Sequence, residues 1–182
     1  DMTAWNQLIS TLTSAGDDEV YYRLQGLDAE GNPDPTAEPL LDVKAFIDYM
    51  LINQYGGNTD WDYHNWYAIR KRGPDSRGFY FLCWDTEQIF EGNNDSNLDI
   101  NNYAAPTWIF HALLQNTRFV KQYLKRASEV LAEDGHLGQA SVVHLWDSLY
   151  CNIKSAVYVE AARWGDYRKD VHPYQTQAPL YT

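Results

Sequence analysis

Within GGNTDWDYHNWY at 56–67, Asp60 and Asn65 stand in the D-x-x-x-x-N spacing used by phosphoryl-transfer catalytic loops. In such loops the carboxylate orients a hydroxyl or accepts its proton, and the carboxamide oxygen holds a magnesium ion. FLCWDTE at 81–87 adds two further hard oxygen donors, Asp85 and Glu87. The spacing alone is weak, because Asp and Asn are ordinary helix-end and turn formers in an acidic chain. Capping and turn chemistry is the competing reading of Asp60, Asn65 and Asp85.

The element that positions them is a hairpin. NWYAIRKR, GPDSRG and FYFLCWD read as two β-prone runs around a Pro-Asp turn. A turn centred on Asp75 sets Asn65 opposite Asp85 at the open end, where paired Cα atoms lie roughly 4.5 to 5.5 Å apart. Asp60 then sits in the loop just before. Kinases use this order: a catalytic loop, a hairpin, then an acid that binds the metal bridging the nucleotide phosphates. A slip of one residue would turn one of the two side chains to the other face.

Helices must carry the hairpin. Trp5, Leu8, Ile9 and Leu12 share one face of a segment over 3–13 that stops at the turn around Gly16 and Asp17. A short apolar piece, VYYRLQG, leads into GLDAEGNPDPTAEP, whose Gly, Pro and Asp predict a long surface loop. Asp42 reads as the N-cap of a helix bearing Val43, Phe46, Ile47, Met50, Leu51 and Tyr55, ended by Gly56-Gly57. Pro106 opens a helix with Trp108, Ile109, Ala112 and Leu113, and a second carries Phe119, Val120, Tyr123, Leu124, Ala127 and Leu131. A third runs from about Ser141 to Arg163 with Val142, Trp146, Leu149, Ile153 and Val157 on one face. The tail from Trp164 on, rich in Pro and polar residues, is expected to wrap the surface. The fold class is α+β, mostly α: one domain over 1–182, a helical lobe with a small antiparallel β-hairpin.

Composition narrows the function classes. With 182 residues, 45% hydrophobic and 15% aromatic, the chain can bury a core, which excludes disorder, coiled coil and collagen. A formal charge of −11 argues against nucleic acid and anionic lipid. No apolar stretch reaches the roughly 18 residues of a membrane span. The opening DMTAWNQL has neither a basic n-region nor an initiator Met, and reads as part of something longer. There is no C-x-x-C, no H-E-x-x-H and no glycine-rich phosphate loop, since GLDAEGNP lacks the Lys-Ser or Lys-Thr that would follow. Cys83 and Cys151 read as buried thiols, with a disulfide between them as the alternative.

The sequence resembles the CotH-type atypical protein kinases, named for a spore-coat protein and including many secreted or surface-associated bacterial members. The resemblance is carried by FIDYMLINQYGGNTDWDYHNWYAIRK, by FYFLCWDTEQIFEG and by ARWGDYR at 162–168, and runs from about Leu40 to Arg168. Its N-T-D-W-x-x-x-N-W and W-D-x-E elements are more specific than D-x-x-x-x-N. It implies a protein-kinase-like C-terminal lobe that uses ATP and Mg2+ on a protein substrate in an extracytoplasmic bacterial setting. By the same resemblance Asp60 is the catalytic-loop acid, Asn65 a metal ligand and Asp85 the principal magnesium acid. Glu87 stands where many members have a second Asp and keeps a carboxylate of longer reach. Asp62 is close enough to Asp60 to exchange roles with it. The family's phosphate-contacting Lys and nucleotide-covering segment have no counterpart before Asp42, so the chain alone is expected to bind nucleotide weakly or not at all. The alternative is a catalytically degenerate kinase-like module that binds protein or glycan through its aromatic surface; a structural helical domain of a larger surface protein is the third.

Other features take plainer readings. Arg70, Lys71 and Arg72 could reach phosphate but read as a solvated strand end. Asp95, Asn97 and Asp99 match the first three ligand positions of a calcium loop, yet Ile100 replaces the turn Gly and Pro106 the closing Glu. The stretch 91–102 therefore reads as a polar rim. Trp66 and Trp84 read as core aromatics, His64 as a local hydrogen-bonding residue, and Arg163, Trp164, Asp166 and Arg168 as a charged helix end.

Overall fold

A computed structural model describes residues 2–90 and 98–171. The secondary structure is mostly α with one small antiparallel hairpin, as expected of a kinase-like C-terminal lobe. The chain divides into two compact units, Asp1–Glu129 and Val130–Thr182, described in turn.

In the first unit α1 (Met2–Leu12) buries Ala4, Leu8, Ile9 and Leu12, one stripe at helical spacing. Beside that stripe, Trp5 stacks on Trp66 and packs against Phe79 and Phe81, with ring centroids 5.8, 5.4 and 6.2 Å away. The piece read only as apolar is a helix, α2 (Asp18–Leu24). Its signal is the acid cluster before it: Asp17 accepts the Glu19 N–H at 2.8 Å, and Asp18 and Glu19 occupy the first turn, where carboxylates suit the helix dipole.

The loop after α2 is anchored at its end. Leu40 and Leu41 are buried, and both donate their N–H to the Leu24 carbonyl at 2.9 Å. Leu41 then forms a parallel bridge with Phe79: the Phe79 N–H donates to the Leu40 carbonyl and the Asp42 N–H to the Phe79 carbonyl, each at 2.9 Å. Gly78, at φ +87, permits this crossing, because a Cβ there would overlap the backbone of Leu40 and Leu41.

Asp42 caps α3 (Val43–Tyr55) as expected, accepting the Ala45 N–H at 3.1 Å. This helix is buried on more than one face, by Val43, Phe46, Ile47, Tyr49, Met50, Leu51 and Asn53. Gly56 keeps right-handed geometry and the left-handed residue is Gly57, at φ +59. Against α3 lies the hairpin of β1 (Trp66–Ile69) and β2 (Tyr80–Cys83), with the Phe81 ring 5.2 Å from Phe46 and 5.4 Å from Tyr49. α4 (Pro106–Leu113) follows, then Asn116, which is fully buried and caps α5 (Thr117–Leu131) by accepting the Arg118 and Phe119 N–H at 2.9 and 3.2 Å. Asn116 Nδ2 donates to the Gly16 carbonyl and to Asp18, which ties the start of α5 to that of α2.

The second unit is dominated by α6 (Gln139–Val171), 33 residues long. The helix extends past the expected end near Arg163, so the tail does not leave it at Trp164; residues 172–182 lie outside the described residues. Of the predicted apolar face, Val142 and Val157 are half-buried, while Trp146, Leu149 and Ile153 are exposed. Both cysteines are unbonded, and both residues are exposed, contrary to the reading of buried thiols.

Candidate functional site

Buried amides build the loop between α3 and β1. Asn53 Nδ2 donates to the Tyr49 carbonyl at 3.0 Å and to Cys83 Sγ at 3.5 Å, while its Oδ1 accepts from Asn58 Nδ2 at 3.0 Å. The Asn58 N–H donates to the Asn53 carbonyl at 3.0 Å, and Asn58 Oδ1 accepts the Asp60 N–H at 3.2 Å. A buried polar relay whose groups are satisfied holds one geometry, so the path from α3 to Asp60 is fixed from within. Sequence reasoning passed over this pair. Its signal was a polar Asn53 amid the apolar positions of α3. Although Cys83 as a residue is exposed, burial pushes its thiol up, with the Asn53 hydrogen bond offsetting part of the effect. The thiol is therefore a protonated neighbour of the relay.

Asn65 closes the loop. It is 6% exposed, and its Nδ2 donates to the Asp60 carbonyl at 2.7 Å and to Asp60 Oδ2 at 3.3 Å. Asp60 Oδ2 also accepts from Gln88 Nε2 at 3.4 Å, and His64 Nε2 lies 3.6 Å from Asp60 Oδ1. With its amide nitrogen committed to Asp60, Asn65 offers Oδ1, the atom a hard cation takes.

Asp62 does other work. It is 2% exposed: Oδ1 accepts the Thr107 N–H at 2.9 Å, and Oδ2 accepts from Thr107 Oγ1 and Asn102 Nδ2, each at 2.6 Å. These bonds cap α4, whose own N-cap residue, Ala105, has no side chain to do so. Both carboxylate oxygens are engaged, so Asp62 braces the start of α4. The Trp66 Nε1–H donates to the Asp62 carbonyl at 3.1 Å.

The hairpin register differs by one residue from the expected pairing. Trp66 faces Cys83, Tyr67 faces Leu82, Ala68 faces Phe81 and Ile69 faces Tyr80. Continuing outward, the Trp84 N–H donates to the Asn65 carbonyl at 3.2 Å, so Asn65 faces Trp84 instead of Asp85. The reason lies in the turn, which closes from Ser76 N–H to the Gly73 carbonyl with Gly73 at φ +95. Asp85 follows the ladder at φ +49, in the left-handed region, so strand alternation ends there. Asp85 and Glu87 are exposed, and neither bonds to a described residue. Trp84, expected in the core, is 58% exposed and meets Tyr67 edge-on at 5.7 Å.

The segment beyond Asp85 returns to the loop. The Phe90 N–H donates to the Gly56 carbonyl at 2.7 Å, the Thr59 N–H to the Gln88 carbonyl at 3.4 Å, and Thr59 Oγ1 to Gln88 Oε1 at 3.4 Å. Gln88, which the sequence did not single out, thus touches both Thr59 and Asp60. Of the residues picked from sequence, Asp60 and Asn65 are bonded together, and Asp85 and Glu87 lie between β2 and Gln88.

Magnesium binds hard oxygens and keeps several waters. Asn65 Oδ1, Asp85 and Glu87 are donors of the right kind. Among the described residues no three His, Cys, Asp or Glu are grouped so that they could hold a metal ion. Asp95 and Asn97 of the calcium-loop reading lie outside the described residues. On the solvent face of the hairpin Tyr67, Ile69, Tyr80 and Leu82 form an exposed apolar floor.

A family model described as CotH kinase protein matches residues 28–180. No curated protein and no solved structure gives a significant match.

Proposed function

The chain belongs to the CotH kinase protein family, and on that premise we propose that it carries the catalytic loop and the metal-binding acid of an atypical protein kinase. The reaction is transfer of the terminal phosphoryl group of ATP to a protein hydroxyl. The observation that carries this reading is the Asn65–Asp60 clamp. One side chain fixes the acid and presents its remaining oxygen for a cation.

Asp60 orients the acceptor hydroxyl and takes its proton as the new O–P bond forms and the bond between the β- and γ-phosphates breaks. Asn65 Oδ1 and Asp85, with Glu87 at longer reach, would hold Mg2+, whose charge would offset that of the phosphates. His64 and Gln88 orient Asp60. The exposed floor of Tyr67, Ile69, Tyr80 and Leu82 gives the nucleotide base an apolar surface, which the covering segment of a complete kinase would close from above. The family's secreted members suggest an extracytoplasmic bacterial setting. Among the described residues no helix is long and apolar enough to cross a membrane.

A second reading, a degenerate module that binds protein or glycan, draws on the exposed rings of Trp84 and Tyr67. One experiment separates the two: isothermal titration of ATP with Mg2+ into the full-length protein, paired with labelled phosphate transfer, against an Asp85→Asn variant. Saturable magnesium-dependent binding that the variant loses supports the kinase. No binding by the intact protein overturns it.

A further inference from the structure

In the N-T-D-W element at 58–61 three residues have an evident task and Thr59 does not. Asn58 belongs to the buried relay, Asp60 is the proposed acid, and Trp61 is buried against Tyr49, with ring centroids 5.7 Å apart. Thr59 is half-buried and turns two groups on one residue. Its N–H donates to the Gln88 carbonyl and its hydroxyl to Gln88 Oε1, each at 3.4 Å.

The backbone that delivers Gln88 is anchored separately. The Phe90 N–H donates to the Gly56 carbonyl at 2.7 Å, and the Phe90 ring meets Tyr55 edge-on at 5.9 Å. Ile89 packs on Gly56, where an added Cβ would lie 3.2 Å from Ile89 Cγ2. Gln88 therefore arrives beside the loop at 56–60 whatever its side chain does, and its amide alone remains to be set.

One orientation of that amide satisfies both neighbours. An ionised carboxylate only accepts, so the Gln88 nitrogen must face Asp60 Oδ2, as it does at 3.4 Å. The Gln88 oxygen then faces Thr59 and needs a donor, which the hydroxyl supplies. Each contact is long for a hydrogen bond, so none holds the amide alone. With Asn65 Nδ2 at 3.3 Å, two amide donors converge on Oδ2. Among the described residues Oδ1 meets only His64, 3.6 Å away, and the Asp60 side chain stays 30% exposed.

We propose that Thr59 is a positioning residue of the phosphoryl-transfer site: acting through Gln88, it anchors Asp60 by Oδ2 and leaves Oδ1 to the acceptor hydroxyl. In that step the hydroxyl proton moves to Oδ1 and the acceptor oxygen bonds the γ-phosphorus. The electron pair of the broken bridge leaves with the β-phosphate. The proposal rests on the kinase reading of the chain.

The test is transfer of labelled phosphate from ATP with Mg2+ by the full-length protein, to itself and to dephosphorylated casein. Wild type is compared with Thr59→Val, Thr59→Ser, Gln88→Met and the double variant of Thr59→Val with Gln88→Met. Thr59→Val, which keeps the shape and loses the donor, should lower kcat about threefold to tenfold at unchanged KM for ATP. Thr59→Ser, which keeps the hydroxyl, should recover most of that loss. In the double variant Thr59→Val should cost nothing beyond Gln88→Met, because the two act along one line. Wild-type kcat in Thr59→Val, a Ser variant as slow as the Val variant, or additive losses in the double variant would each overturn the proposal while transfer by the wild type leaves the kinase reading standing. Absence of transfer by the wild type overturns both.

Discussion

Asp60 and Asp62 lead into the hairpin, Asp85 and Glu87 lead out of it, and the two pairs of acids are held in opposite ways. On the entering side every carboxylate has protein partners: Asn65 and Gln88 bond Asp60, and Thr107 and Asn102 bond Asp62. On the leaving side Asp85 and Glu87 are exposed and bond no described residue, and Asp85 sits in a left-handed backbone conformation. A side chain that must align a hydroxyl gains from being oriented in advance, because misplacement by about 1 Å can cost a hundredfold in rate. A side chain that must wrap a cation shared with a departing nucleotide gains from free oxygens. On the proposed function, the difference would divide the site into a positioning half and a ligand half.

The largest effect should come from the ligand half. Asp85→Asn should lower phosphoryl transfer by about a thousandfold, or about 4 kcal/mol of barrier, with no change in melting temperature. Asn tolerates the left-handed geometry, so the fold is spared. A variant that loses stability in step with activity would break the division.

Next, Asp62→Ala should destabilise the first unit by about 3 kcal/mol in chemical denaturation, since it leaves α4 uncapped and strands Thr107 and Asn102. If the variant unfolds like the wild type yet loses catalysis, Asp62 belongs to the chemistry after all. Asn58→Ala should cost about 2 kcal/mol and, by loosening the Asp60 backbone, reduce kcat more than it raises KM. An equal change in both would place Asn58 outside the positioning half.

The smallest effect sharpens the comparison with an acid that is exposed like Asp85 but partnered like Asp60. The Arg118 hydrogen bond, with help from Asn116, holds the Asp18 carboxyl below its ordinary value. A depressed carboxyl pKa adds stability above the unfolded value, near pH 4, and that increment is lost as the pH falls through the folded value. Melting curves of wild type and Asp18→Asn should therefore differ slightly at neutral pH and converge in acid, once the Asp18 carboxyl is protonated in both folded and unfolded states. A difference that persists in acid would mean the pair contributes nothing electrostatic.

The local parts of this arrangement were legible in the sequence. The Asp42 cap, the α3 face and the Asp60–Asn65 spacing depend on neighbours within about two turns. α2 was missed although the Asp17-Asp18-Glu19 cluster announced it, because a seven-residue helix offers little periodicity. The register came out one residue off because hairpin pairing depends on how GPDSRG turns, and its two glycines, Gly73 and Gly78, both take positive φ. Partnerships across long sequence separations were not legible. Asp62 caps a helix 45 residues away, and Arg70 finds its carboxylate at Glu38. Neither partner leaves a mark on the local pattern.

The backbone crossing at Gly78 also bears on how the molecule breathes. Because the Phe79 and Asp42 amides bond across the join of two segments about forty residues apart, neither α3 nor the hairpin can open there alone. Their amide protons should exchange with solvent together, through one shared opening event slower than the fraying of α1 or of the loop at 25–39. The two halves of the site thus stand on a single cooperative unit.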